Sequence, residues 1–196
     1  SQPITCETKI GETEFGFNQQ TSVQCDPGTT LTSCGFQSNG GGRDGSWIDG
    51  LDCKAGNGGN EAGFGDGQGA RPVARCCSVA GGSPGLDCVD KAVNGVIGDG
   101  VVADIYCDAG YTLVGCTSRG LGDSFDGCRT LTNATSGIGY CQPQAASSVY
   151  SVSGYARCCK PTDPTVTISC TYERAHDPQC PAGYIMTSCS GQNQLN

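Results

Sequence analysis

CDAGYTLVGC, residues 107–116, is written twice more along the chain, as CDPGTTLTSC at 25–34 and CPAGYIMTSC at 180–189. Each copy reads Cys, two residues, Gly, five residues, Cys, with Leu31, Leu113 or Met186 three positions before the second Cys. A phrase kept this closely points to one supersecondary unit copied in tandem, and the copies have a measurable period. Cys6, Cys88 and Cys170 stand 82 residues apart, and the same offset relates Cys25 to Cys107, Cys34 to Cys116, Cys76 to Cys158 and Cys77 to Cys159. The text around the last pair repeats too, as VARCC at 73–77 and YARCC at 155–159. Repeat one therefore covers 1–81 and repeat two 82–163. Residues 164–196 hold Cys170, Cys180 and Cys189 but not the second half of the unit.

Composition says what such a unit is made of. The 196 residues include 16 Cys and 32 Gly, and only 15% are charged. Cys supplies much of the 36% counted as hydrophobic, so the oily core is thin and cross-links must share in stabilising it. Disulfides in this number persist only in an oxidising compartment, which implies a secreted, extracellular protein. The opening SQPITC has neither a charged n-region nor an apolar h-region, so a signal peptide is expected to have been removed already. No apolar run approaches the roughly 18 to 20 residues that span a bilayer, so no membrane insertion is expected. A net charge of -8 and a pI near 4.4 exclude nucleic acid and anionic membrane surfaces as natural partners, because both demand clustered Lys and Arg.

Local signals within the repeats are those of short strands. TSVQC, TTLTSC, DIYC, YTLVGC, SVYSVSGYARCC and TVTISC are rich in Thr, Val, Ile and Tyr and are bounded by Gly, Pro, Asn or Asp. Gly28, Gly110 and Gly183 each precede such a strand, where a turn needs positive φ. Asn39 to Gly69 is so rich in Gly that it reads as one long loop. Neighbours on a strand point to opposite faces, so Cys76 and Cys77 should close two separate bridges, and Cys158 and Cys159 likewise.

In its three phrases and its closing Ala-Arg-Cys-Cys, the chain resembles the Cys/His-rich C-terminal domain family typified by proprotein convertase subtilisin/kexin type 9, and more distantly resistin. The resemblance covers repeats one and two and the first third of repeat three. It implies an all-β fold of tandem small antiparallel β-sandwiches, jelly-roll-like, in a pseudo-threefold arrangement with the third repeat truncated. It also implies nested disulfides joining first to sixth, second to fifth and third to fourth cysteine. In this sequence those are Cys6 with Cys77, Cys25 with Cys76, Cys34 with Cys53, Cys88 with Cys159, Cys107 with Cys158, and Cys116 with Cys141 or Cys128. With Cys141 taken, Cys128, Cys170, Cys180 and Cys189 are left unassigned, free to pair among themselves or with another chain. The chain departs from the family in having one histidine and no subtilisin-like catalytic domain.

The chemistry of a triad needs a histidine base, and His176 in the polar stretch RAHDPQ is the only candidate; an ordinary exposed histidine is the plainer reading. No CxxC exists, so neither zinc nor a redox pair is indicated. The acidic turns that contain Asp44, Asp49, Asp123 and Asp126 offer oxygen ligands to calcium, although none follows the EF-hand spacing and Asp-Gly is common turn chemistry. No other cofactor or metal is implied. Trp47 reads as a buried plug over the thin core rather than an exposed anchor. Asn133-Ala134-Thr135 is an N-glycosylation sequon in a loop. Arg75 and Arg157 recur before the Cys pairs and read as a repeated structural contact to a carbonyl or carboxylate.

Together these readings give a non-enzymatic extracellular module that binds another protein or a matrix, with self-association or a disulfide link through repeat three as a further option. The alternative is an acidic matrix or biomineral protein that meets calcium or mineral and cross-links through its extra cysteines. A small hydrolase or its inhibitor, built on His176, is a third and weaker reading.

Overall fold

The computed structural model describes residues 4–14, 19–38, 45–57, 69–79, 85–120, 125–146, 151–170, 179–180 and 185–188. It is all-β. In the first repeat the strands are β1 (Ile4–Ile10), β2 (Gln19–Gln24), β3 (Thr30–Ser38), β4 (Gly45–Asp49), β5 (Asp52–Asn57) and β6 (Ala70–Val79). In the second they are β7 (Leu86–Val96), β8 (Ile105–Tyr106), β9 (Thr112–Gly120), β10 (Phe125–Thr132), β11 (Gly139–Ala145) and β12 (Val152–Pro161).

The two repeats share one antiparallel topology. The first, sixth and third strands form one sheet, in the order β1-β6-β3 and again β7-β12-β9. The second, fifth and fourth form the other, as β2-β5-β4 and β8-β11-β10. Each repeat is thus a small sandwich whose closing strand, β6 or β12, lies in the middle of its sheet. One further pairing, Gly45 with Arg119, joins β4 to β9, so that β2-β5-β4-β9-β12-β7 runs as a six-stranded sheet across both repeats.

The repeated phrase supplies the turn and the strand that enter this sheet. The N–H of Thr29 donates to the Asp26 carbonyl at 3.0 Å, and Tyr111 to Asp108 at 3.0 Å, closing a tight turn in each repeat. Gly28 and Gly110 sit at the third position of these turns with φ of 88° and 86°, the geometry of a type II turn, which side chains disfavour. Gly183 lies outside the described residues. Later in the phrase the ladder slips by one residue in both repeats, between Leu31 and Ser33 and between Leu113 and Gly115. That bulge leaves Thr32 and Val114 outside the regular pairing and turns the local backbone away from the sheet.

Six disulfides tie the layers. Cys6–Cys77 and Cys88–Cys159 link directly opposite residues of adjacent strands, with Cα atoms 4.1 Å apart in both. Cys25–Cys76, Cys34–Cys53, Cys107–Cys158 and Cys116–Cys141 cross from one sheet to the other. Adjacent cysteines of the closing strand therefore do take partners on opposite faces. The two cores share five positions, Leu31, Cys34, Cys53, Ala74 and Cys76 in one and Leu113, Cys116, Cys141, Ala156 and Cys158 in the other, to which Ile48 adds in the first and Ile105 and Cys128 in the second. Sulfur fills the space that large aliphatic side chains fill in an ordinary sandwich.

Two sequence expectations need correcting. The Gly-rich stretch 39–69 is not a single long loop, because β4 and β5 form a hairpin inside it. Gly45 and Gly56 face each other there, and the hairpin is held by β2 on one side and Arg119 on the other. TVTISC, 165–170, carries no strand. Its equivalents β1 and β7 are strands because they pair with the closing strands β6 and β12, and residues 164–196 contain no adjacent cysteine pair to mark such a strand.

Candidate functional site

The three phrases meet. Arg157, before the second Cys pair, is buried; its Nε donates to the Leu31 carbonyl of phrase one at 3.0 Å and its Nη1 to Asp90 Oδ2 at 2.7 Å. Arg75, its counterpart, donates from Nε to the Met186 carbonyl of phrase three at 2.9 Å and from Nη1 to Thr8 Oγ1 at 2.9 Å. Leu31 and Met186 are the same position of the phrase, and Thr8 and Asp90 the same position of the first strand. Each arginine therefore holds its own repeat's first strand with one nitrogen and reaches across to the next phrase with another. The Thr32 hydroxyl lies within donating reach of two carbonyls, that of Arg75 at 3.0 Å and that of Thr187 at 3.3 Å. Gly115 packs so closely that an added Cβ would lie 2.5 Å from the Thr32 carbonyl oxygen. A further contact between repeats is Trp47, buried beneath the Arg119 guanidinium at 4.1 Å from the ring centroid, a cation–π pair. Recurrence of Arg75 and Arg157 was visible in the sequence; that they cross between repeats was not, because each partner lies over 100 residues away.

Repeat three enters this junction as an incomplete copy. Cys170 and Cys180 are free thiols, whereas Cys189 lies outside the described residues. Met186 is 37% exposed, whereas the equivalent Leu31 and Leu113 are each 2% exposed beneath their closing strands.

Cys128, the extra cysteine of repeat two, is a core residue. It stands where repeat one has Ser46, and Cys116 bonds to Cys141 instead. Burial pushes its thiol up to about 12, against a smaller opposite pull from the Ser118 hydrogen bond. The sign of the linkage follows. Above the ordinary thiol range the unfolded chain has lost this proton and the folded chain still holds it, so stability is complete below that range and falls as pH rises towards 12. The slope is about 1.4 kcal/mol per pH unit inside the window. Between pH 8 and 10 the wild type should lose about 1 to 2 kcal/mol more in urea titrations than Cys128→Ala. Equal losses would show that the thiol is not desolvated.

Of the four expected calcium ligands, Asp49 alone has a described side chain. Asp49 is exposed and paired with Lys54; Asp44 and Asp123 lie outside the described residues, and so does the side chain of Asp126. Among the described residues no three His, Cys, Asp or Glu side chains converge as a metal set. Carboxylates are instead spent on neighbouring cations: Asp26 on Lys9, Asp108 on Lys91, Asp87 on Lys160. The Tyr111 hydroxyl, and then Lys160, hold Asp87 below the usual carboxylate range. His176 lies outside the described residues. Asn133 sits in the β10–β11 hairpin, where its Oδ1 accepts the N–H groups of Thr135 at 2.9 Å and Ser136 at 3.1 Å, and residues 134–138 around it are exposed.

What the sequence did not single out is an apolar strip beside β11. Tyr106 pairs with Tyr140 across β8 and β11, and the two rings stack with centroids 5.0 Å apart. Val101 and Val102 run along the other end of β11, where the Ala145 N–H donates to the Val101 carbonyl at 2.9 Å and Val102 bridges to Gln144. Ile138 follows the sequon hairpin. All four of Val101, Val102, Tyr106 and Ile138 are exposed, and Ile138 most, at 53%. Isolated apolar residues of this kind read as core in a sequence.

Six disulfides fit an oxidising compartment, and among the described residues no helix is long and apolar enough to cross a membrane. No protein-family model matches the chain, and no curated protein matches it in sequence.

Proposed function

We propose that this chain is a secreted, non-enzymatic module that binds another extracellular protein, built like the Cys/His-rich C-terminal domains it resembles. The observation that carries this reading is the exposed strip of Val101, Val102, Tyr106 and Ile138 on a scaffold held rigid by disulfides. A soluble surface rarely aligns apolar side chains without covering them, and a rigid sheet loses little entropy on binding. Stacked tyrosines are the kind of anchor that dominates binding energy. The sequon at Asn133 borders this strip, so a glycan there would rim the contact rather than fill it.

The test compares wild type with Tyr106→Ser/Ile138→Asp as baits in the fluid or matrix into which the protein is secreted. A partner retained by the wild type should bind the variant at least tenfold more weakly, about 1.4 kcal/mol or more. Far-ultraviolet circular dichroism and the urea midpoint should stay close to those of the wild type, since both side chains are exposed. Equal retention by the two baits, or none by either, would sink the reading.

A further inference from the structure

We propose that the open edge of β8 takes one added strand from its partner, an extended segment that presents an apolar residue, an Arg or Lys, and another apolar residue at alternate positions. This rests on the reading of the β11 strip as a protein-binding surface and gives the partner its chemistry.

β8 stands at the end of its sheet, in the order β10-β11-β8, and the residues that lead into it run along β11 as well. On the β11 side the Ala103 N–H donates to the Pro143 carbonyl at 3.3 Å, and the Ala145 N–H to the Val101 carbonyl at 2.9 Å. Backbone groups alternate in direction along an antiparallel strand, so those of Val102, Asp104 and Tyr106 turn the other way, to the edge. No proline interrupts residues 101–106. A row of backbone donors and acceptors of this kind is a template for another chain.

Side chains decide which chain it takes. Ile105 turns into the core, whereas Val102, Asp104 and Tyr106 share the opposite face and are exposed. Asp104 is held in place: its Oδ1 accepts from Gln142 Nε2 at 2.6 Å, and the buried Gln142 accepts in turn from Arg129 Nε at 2.7 Å. Beside it the Tyr106 ring is backed by that of Tyr140, 5.0 Å away. A fixed carboxylate and an exposed tyrosine ring, two residues apart on one face of a strand, are the two halves of a cation site. Residues 96–110 contain Asp99, Asp104 and Asp108 and no Lys or Arg. Lys91 meets Asp108, but among the described residues no Lys or Arg forms an ion pair with Asp99 or Asp104. In a chain of net charge -8 this edge attracts a basic strand and repels an acidic one. A second copy of this chain does not fit, because two β8 edges side by side would bring their Asp104 carboxylates together. The apolar residues that flank the cation lie against Val102 and Tyr106.

The experiment titrates the full chain into a fluorescein-labelled peptide, Thr-Val-Thr-Arg-Thr-Val-Thr, at low salt, and reads anisotropy and amide hydrogen exchange. The peptide should bind and slow exchange over residues 101–106. Glu in place of its Arg, and separately Asp104→Asn in the protein, should each weaken binding about tenfold or more. Methylating the backbone nitrogen of the Arg, which faces β8, should weaken binding as much, whereas methylating the two adjacent Thr nitrogens, which face away, should change it by about twofold at most. The Glu and methylated peptides test the wild-type protein directly and need no folded variant. No binding, equal binding of the Arg and Glu peptides, or indifference to which nitrogen is methylated overturns the proposal. Should that happen while Tyr106→Ser/Ile138→Asp still loses the natural partner, the strip binds a protein by other contacts and only the added strand is refuted.

Discussion

Replacing Cys25 and Cys76 together by alanine should lower stability by about 3 kcal/mol, a large part of what holds a small domain folded. Taken alone, a bridge of sequence separation 51 would give about 4 kcal/mol by chain entropy. Its neighbour Cys6–Cys77 still closes the unfolded chain, however, so the loop that Cys25–Cys76 uniquely closes shrinks to roughly 20 residues and the effect shrinks with it. Both cysteines must be changed, because one left as a thiol would attack the remaining bridges. Removing Cys6–Cys77 and Cys25–Cys76 at once frees β6, the middle strand of its sheet, and that variant should not fold at all. Urea titration of the oxidised protein measures the first effect and circular dichroism the second. A loss under about 1 kcal/mol for the Cys25/Cys76 pair would mean that packing, not sulfur, stabilises the sandwich.

The cysteines also explain how much of this fold is legible in the sequence. The period of 82, the strands that flank it, and the opposite-facing partners of Cys76 and Cys77 follow from local rules of strand geometry, and local rules act on neighbouring residues. The glycine of each phrase is legible for the same reason, since a tight turn with positive φ is written within four residues. β4 and β5 were hidden because their composition is that of a loop. They are strands by virtue of neighbours in β2 and of Arg119, which no window of sequence around Trp47 contains. Trp47 itself was read as buried, but the guanidinium that covers it comes from the other repeat. The β11 strip was hidden for the opposite reason: Val101, Tyr106 and Ile138 look like core, and only their positions, the first two along the β8 edge and the last in the β10–β11 hairpin, leave them in solvent.

The junction makes the strongest demand on tertiary structure, and Arg157→Ala should show it. The side chain is buried and holds two groups at once, the Leu31 carbonyl at 3.0 Å and the Asp90 carboxylate at 2.7 Å. Truncation strands a carboxylate that keeps only part of its hydration and a buried carbonyl, so the loss should be about 2 to 4 kcal/mol. Arg75→Ala, whose side chain is less buried and whose partners are a hydroxyl and the carbonyl of Met186, should lose about 1 kcal/mol. Arg157→Lys should recover less than half of the loss, because an ammonium cannot reach two directions as the planar guanidinium does. Gly115→Ala presses on the same junction from the other side. Its methyl would lie 2.5 Å from a backbone oxygen that has no rotamer with which to escape, so it should be about as damaging as Arg157→Ala, although it removes no hydrogen bond. If the two repeats fold independently, Gly115→Ala should change urea stability by under about 0.5 kcal/mol, as surface changes do, and Arg157→Ala should keep only the part of its loss that comes from Asp90 in its own repeat. Losses of the predicted size in both, smaller together than their sum, would mean that the repeats stand or fall as one cooperative unit around the three phrases.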